Sequence, residues 1–396
     1  MMERARNGRP VLALHVCTIL LTARTFIAPV ARYLLTRGYD VAVACSDEEA
    51  ADGPGLSVEQ SVVGCPLYPT AIPRTIRPLA DLLAVWRLYR LIRRLGPDIV
   101  HTQTSKAGVI GRLAARLAGV PVIVHTAHAF PFHPYLPAPL RWAYIAIERW
   151  AGWLADLIMV DTESVRADGL RHRIVKNPGK LVTVPMGIDL KKFSPSPQGS
   201  DNLRKTLGFQ AGDLVVGTVA RLVPGKGLEC FLRIAARIRG ARSDVRFLIV
   251  GDGPLRRDLE RLAETLGLRA AVVFTGHRTD VPDLMQAMDL FVLPTLREGF
   301  GVVFAEAMAM GKAAVGSRIG PVEEVVEDGV TGYLVPPDDP EGFAERALEL
   351  LNDGPKRREF GEAGRRRVEK LFTEERMCET IERQYRRLLE AKGLLA

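Results

Sequence analysis

Residues 214–238 read LVVGTVARLVPGKGLECFLRIAARI. A run of apolar, β-branched residues, Leu214–Val219, gives way to a loop carrying glycines and cations. A segment with helical apolar spacing, Leu228–Ile238, follows. A strand that is apolar at successive positions is buried on both faces, the habit of a parallel strand covered by helices. The same succession recurs along the chain. Strands are expected at Val11–Val16, Asp40–Ala44, Asp98–His101, Pro121–His125, Leu157–Val160 and Leu181–Val184 in the first half. In the second half they are expected at Leu214–Val219, Arg246–Val250, Ala271–Phe274, Leu290–Leu293, Ala313–Gly316 and Gly332–Val335. Crossover helices such as Lys106–Ala118 lie between them. Two such series of similar length predict an α/β chain of two doubly wound domains. The polar stretch KKFSPSPQGSDN (191–202) separates them, giving 1–195 and 196–372. In the tail, 373–396, the charged amphipathic helix Thr373–Ala391 is expected to pack back on the first domain. Ligands of such sheets bind at the carboxyl ends of the strands, so the cleft between two facing domains is the expected site.

With 47% hydrophobic and 25% charged residues among 396, wholesale disorder is excluded. The net charge of +8 is uneven: residues 1–198 hold 24 basic and 15 acidic groups, and 199–396 hold 30 and 31. The excess in the first half points to an anionic partner there. The five cysteines are scattered and contain no CxxC pair, which fits a reducing compartment better than a disulfide framework or a zinc site. The start, MMERARNGRPVLALHVCTILLTA, mimics a secretory signal. His15 interrupts its apolar part and no small-x-small cleavage site follows, so a first buried strand is the better reading. The longest uncharged stretch, 117–140, holds five prolines and three histidines and is no transmembrane helix. A cytoplasmic protein is expected, peripheral at the inner membrane at most.

Two nucleotide motifs fail. ARLVPGKG (220–227) has Ala220 where a phosphate loop needs glycine and Gly227 where it needs Ser or Thr. GDGPLR (251–256) has Arg256 at the third glycine of a dinucleotide fingerprint. Phosphate chemistry itself survives. Arg221 and Lys226, with Gly225 and Gly227, suit a diphosphate: a fork for two oxygens, a point charge, and glycines that admit the backbone. In PTLREGFGVVFAEAMAMG (294–311) a helix opens near Val302 after Gly299 and Gly301, and its free N–H groups suit a phosphate. Glu306, one turn inside, is placed for a vicinal diol such as a ribose, and Glu298 for the group beyond the phosphates.

The glutamates Glu298 and Glu306, seven residues between them, together with GTVARLVPGKG (217–227), resemble the donor half of the retaining glycosyltransferases of family 4. VGDGP (250–254), FTGHRTDVPDLM (274–285), PVEEVVEDGVTGYLVPPDD (321–339) and PMGIDLKKFSP (185–195) extend the resemblance over most of the chain. It implies the GT-B fold, two Rossmann-like domains facing a cleft. It also implies transfer of a sugar from a nucleotide diphosphate sugar, most simply a UDP-sugar, to an acceptor hydroxyl with retention. By position, Arg221 and Lys226 would hold the diphosphate, Glu306 the ribose and Glu298 the sugar. Gly299, Phe300, Gly301, Val302 and Val303 would line the phosphates, with Gly251 and Gly253 nearby, and His277 and Arg278 would receive the base. No cofactor and no metal are implied; Asp338–Asp339 lie in a late loop.

In the first half, VHTAHAFPFH (124–133) resembles the family's strand-end histidine segment, with His128 the counterpart of the functional histidine and His125 second. Ala129 stands where the family has glycine. A zinc site of His125, His128 and His133 lacks a fourth ligand. VCTILLTARTFIAPVARYL (16–34) lacks the family's usual glycine-rich turn and is more similar to a bacterial branch of surface-polysaccharide assembly; Thr22, Arg24 and Thr25 are its acceptor-side candidates. Arg74–Arg94 is basic and amphipathic, suited either to a plain surface or to an anionic membrane holding a lipid-linked acceptor. The rivals are a glycoside hydrolase using the two glutamates, a sugar-nucleotide epimerase, and a non-catalytic anion- or nucleic-acid-binding protein. Arg221 and Lys226 beside the glutamates would keep them ionised, which argues against a poised acid. No nucleic-acid motif is present.

Overall fold

The computed structural model describes residues 8–46, 62–73, 75–196 and 200–395. It divides into two compact units, Met1–Pro185 with Glu374–Ala396, and Met186–Thr373.

The first unit is built on seven strands, all parallel: β1 (Leu12–Val16), β2 (Asp40–Cys45), β3 (Leu67–Pro69), β4 (Ile99–Gln103), β5 (Val122–Ala127), β6 (Leu157–Val160) and β7 (Leu181–Thr183). Their order is β3-β2-β1-β4-β5-β6-β7. Leu14, Val16, Val100 and Ile123 project from the sheet into a core shared with Leu88 and Ile92 of helix Pro78–Leu95 and Ala107 and Ala114 of helix Ser105–Ala118. His15 of β1 is fully buried with both ring nitrogens unpartnered, and burial pushes its pKa down to about 4, so it is a neutral core residue. Arg112 and Glu148, both buried, join helices Ser105–Ala118 and Ala138–Leu154 by an ion pair of 3.1 Å. Removing either partner would strand a buried charge.

The tail belongs to this unit. Helix Glu374–Ala391 packs on helix Ala28–Thr36 and buries Cys378, Ile381, Tyr385 and Leu389, a spacing that forms one helical stripe. Glu382 accepts hydrogen bonds from Tyr33 (2.9 Å) and Arg37 (3.1 Å), and the Tyr385 hydroxyl meets His101 Nδ1 at 2.5 Å.

The second unit has six parallel strands, β8 (Leu214–Val219), β9 (Val245–Val250), β10 (Val272–Phe274), β11 (Leu290–Leu293), β12 (Ala314–Ser317) and β13 (Gly332–Val335), in the order β10-β9-β8-β11-β12-β13. Phe231, Phe247, Ile249, Val292 and Phe343 anchor one core cluster. In both sheets the order reverses beside the first strand: β1 next to β4, and β8 next to β11. Such a switch point opens a crevice at the strand carboxyl ends.

The units divide ahead of the polar stretch 191–202. Residues after Pro185 are tied to the second unit, since the Ile188 amide donates to the Phe372 carbonyl (2.8 Å), Phe193 is buried, and Ser196 exchanges hydrogen bonds with Gln286. Strand β3 has no counterpart among the expected strands. Among the described residues, no helix is long and apolar enough to cross a membrane.

Candidate active site

At the switch point of the second unit, the loops after β8, β9 and β11 are stitched together through their backbones. The Gly225 carbonyl accepts from the Leu296 amide (2.8 Å) and from Thr295 Oγ1 (3.1 Å). The Leu222 amide donates to the Asp252 carbonyl (2.9 Å), and the Gly251 amide to the Gly276 carbonyl (3.0 Å). This closeness needs glycine. Gly227 has φ +70°, and a Cβ there would run into the Pro294 carbonyl. Gly251 and Gly253 lie against the carbonyls of Ala220 and Leu222, so their first service is to let the β8 loop close.

Lys226 and Glu298, from the two loops that flank the switch point, form an ion pair at 2.8 Å with side chains 28% and 10% exposed. The sequence places them on different parts of a donor; in the structure they hold each other. Lysine carries three N–H donors, so this pairing leaves hydrogen-bonding capacity on Lys226. Arg221 is exposed beside the same loop. Gly301, at φ +88°, caps helix Val302–Ala309, whose first N–H groups lack partners within the helix. Val302 and Val303 are partly exposed there. Phe300 is 3% exposed and its ring packs edge-on against Phe372 at 5.2 Å between centroids, so it offers a ligand only its backbone.

Glu306 also departs from expectation. Burial pushes its carboxyl up to about 7, and Lys192 is the cation that opposes the shift. Arg221 and Lys226 do not hold it ionised, because the apolar helix face around it withholds solvation and Lys226 is engaged with Glu298. His277 and Arg278 are exposed next to Gly276, and the Arg278 guanidinium is clasped by Asp280 at 2.7 and 2.5 Å. That contact holds the Asp280 carboxyl below its usual value.

In the first unit, His128 sits just beyond β5. Its Nδ1 faces the buried Asp161 carboxylate at 3.0 Å, its Nε2 faces Gln103 Oε1 at 3.4 Å, and its ring stacks on Phe26 at 4.3 Å. Asp161 and Gln103 are functional candidates that sequence reading missed. No local pattern announces them: Ala127 pairs with Val160, so the next residues of the two strands, His128 and Asp161, fall side by side only once the strands pair.

His125 departs from the expected acceptor-side place. It is 1% exposed, its Nδ1 lies 2.9 Å from Thr102 Oγ1, and its ring is pressed so closely on Gly108 that a Cβ would collide. Burial keeps it neutral, and it cannot reach an acceptor. Thr22 is 7% exposed and likewise turned into packing, whereas Arg24 is partly exposed and Thr25 exposed. Arg24 and Thr25 belong to a π-helical stretch, Ala23–Ile27, a form that recurs at functional sites. Its Phe26 is the ring that stacks on His128. The three histidines of the zinc alternative have separate neighbours: His125 faces Thr102, His128 faces Asp161 and His133 faces Tyr135. Arg74 lies outside the described residues.

Two family models match the sequence: glycosyl transferases group 1 over residues 199–367, and a glycosyl transferase 4-like domain over 22–187. An Escherichia coli protein, UDP-Gal:alpha-D-GlcNAc-diphosphoundecaprenol alpha-1,3-galactosyltransferase, is 31% identical over 80% of this chain and 81% of its own. The putative glycosyltransferase EpsD of Bacillus subtilis is 32% identical over 76% and 79%. Among solved structures, Anabaena HepE in complex with UDP and glucose superposes with a TM-score of 0.80 at 23% identity, covering 94% of this chain and 98% of that one. Sucrose-phosphate synthase from Thermosynechococcus elongatus gives 0.81 at 22%, covering 96% and 100%.

Proposed function

The chain belongs to the family 4 glycosyltransferases, of GT-B fold, and from that premise we propose that it moves a hexosyl unit from a UDP-sugar to a hydroxyl of a lipid-linked saccharide, with retention and without a metal. The observation that carries the donor assignment is the Lys226–Glu298 pair spanning the switch point beside the helix start at Val302. As the bond from the anomeric carbon to the diphosphate breaks, negative charge gathers on the leaving oxygen. Arg221, Lys226 and the helix N–H groups are fixed donors for that charge. The acceptor oxygen bonds to the same carbon and its proton passes to the departing diphosphate.

Glu298, kept in place by Lys226, accepts from the sugar hydroxyls. Glu306 accepts from the ribose diol, Gly299–Val303 contribute backbone to the phosphates, and the segment of His277 and Arg278 receives the base. His128, whose Nδ1 faces Asp161, is the first unit's candidate for the transferred sugar. Thr25 and Arg24 stand on the acceptor side. The uracil base is supported by UDP in the HepE complex and in the name of the E. coli relative, and the lipid-linked acceptor by the diphosphoundecaprenol in that name. Exposed Leu79, Leu82 and Trp86 among arginines support peripheral contact with an anionic membrane. Five buried cysteines, scattered and without a CxxC pair, fit its cytoplasmic face.

Calorimetric titration with UDP, GDP and ADP, in metal-free buffer, tests the donor site. Saturable binding of UDP alone, weakened by Glu306→Ala, is the expected result. Equal binding of all three, or UDP binding indifferent to the substitution, would overturn the assignment.

A further inference from the structure

Beyond β2 and β3, against helix Pro78–Leu95, the first unit holds an open cavity of about 700 Å³, lined by Trp86 and arginines of the basic helix but by none of the donor, histidine or Thr22–Thr25 candidates assigned above. Arg87, Arg90 and Arg94 line it from one face of the helix, at spacings of three and four residues. No carboxylate answers them among the described residues. The helix's one acid, Asp81, pairs with Lys106 at 2.7 Å. Aromatic rings hold two of the guanidiniums, Arg90 over Trp86 at 4.9 Å and Arg94 over Tyr68 at 5.7 Å. A guanidinium held over an aromatic face keeps its N–H edge available for oxygen ligands.

Two buried hydroxyls complete the lining. Ser46, at the end of β2, is 2% exposed, and Thr70, just after β3, is 7% exposed. Among the described residues, neither Ser46 Oγ nor Thr70 Oγ1 has a hydrogen-bond partner. Buried hydroxyls are normally satisfied, so this pair points to a ligand that supplies acceptors. Among the described residues, a lining of three guanidiniums and two hydroxyls, with no carboxylate, selects acidic oxygens over a cation or a neutral sugar. The same helix continues toward its N-terminus with exposed Leu79 (86%), Leu82 (66%) and Leu83 (44%). One helix therefore offers an anion seat and, within two turns, an unpartnered apolar stripe. The ligand this suits is an amphiphile with a phosphorylated head.

We propose that this cavity seats the diphosphate of an isoprenoid-linked acceptor, with the leucine stripe against its chain. The inference rests on the lipid-linked acceptor proposed above and locates its head group. Phosphate could also come from membrane phospholipid, and the test separates the two sources.

Farnesyl diphosphate, inorganic pyrophosphate and phosphatidylglycerol vesicles are titrated against the full chain, wild type, Arg90→Gln and Ser46→Ala, each checked for a native melt. The expected result is saturable farnesyl diphosphate binding, tighter than pyrophosphate, weakened at least about tenfold by Arg90→Gln and less by Ser46→Ala. UDP affinity should be equal in all three proteins. Absence of farnesyl diphosphate binding, or binding indifferent to Arg90→Gln, overturns the proposal. Vesicle binding that needs Arg90 without farnesyl diphosphate binding overturns it too, in favour of a phospholipid surface. Failure of UDP to bind the wild type would strike the donor assignment alone, since the diphosphate titration decides this one independently.

Discussion

Glu306 sets stability against binding. Its folded pKa, about 7, lies above the ordinary 4.5, so between those values the folded chain holds the proton more tightly than the unfolded one. The resulting stability is full below the unfolded value and is lost as pH rises through about 7. Glu306→Gln removes the titration. Its Tm should exceed that of the wild type at pH 8, with the gap closing near pH 5, while UDP binds more weakly. A Tm gap that does not change with pH would show that the carboxyl titrates normally. Lys226 has the opposite character, because it serves fold and chemistry together. Lys226→Ala should cost about 2–4 kcal/mol of transition-state stabilisation in kcat/KM. It should also lower the Tm, since Glu298 is only 10% exposed and loses its cation. Adding Glu298→Gln should restore the Tm and not the activity; recovered activity would assign Lys226 to the fold alone. These residues were legible because each stands where an apolar strand turns into a helix. Asp161 was not, since its meeting with His128 arises from the pairing of β5 with β6 rather than from any local pattern.

At the scale of elements, continuous apolar runs made twelve of the thirteen strands among the described residues readable, because a strand covered on both faces must be apolar at nearly every position. Strand β3 escaped as three residues ending in proline and only partly buried, an edge that carries no such run. The π-helical stretch Ala23–Ile27 escaped too, since its residues are compatible with an ordinary helix and only the backbone reveals the extra residue. The loop after β8 gives a direct contrast between two glycines. Gly225, at φ +89°, has open space for a Cβ, so Gly225→Ala should cost only the backbone strain, about 1–2 kcal/mol. Gly227, at φ +70°, meets the Pro294 carbonyl, so Gly227→Ala must also part the loops after β8 and β11. Denaturant melts should show the larger loss for Gly227→Ala, and UDP titration should show a selective loss of binding there. Equal effects would mean that the two loops yield without consequence.

For the whole molecule, the chain leaves the first unit at Pro185 and re-enters it at Glu374, so the last helix is a structural part of a body built mainly from the first half of the sequence. Tyr385 is the test of that closure. It is fully buried, and its hydroxyl reaches His101, a neutral histidine of β4 whose other nitrogen meets Thr126 Oγ1 at 2.7 Å. Tyr385→Ala opens a cavity and strips His101 of a partner, a loss of about 3–5 kcal/mol by analogy with other large aromatic deletions. Chains of two bodies need not unfold in one step. Calorimetry should therefore resolve two transitions, one lowered by Tyr385→Ala and the other raised by UDP, with UDP affinity unchanged in the variant. The donor residues lie wholly within Met186–Thr373, whose core cluster includes no residue of the tail helix, so UDP affinity reads the second unit separately from a loss at Tyr385. One transition moved by both the substitution and the nucleotide would show instead that the two bodies stand or fall together.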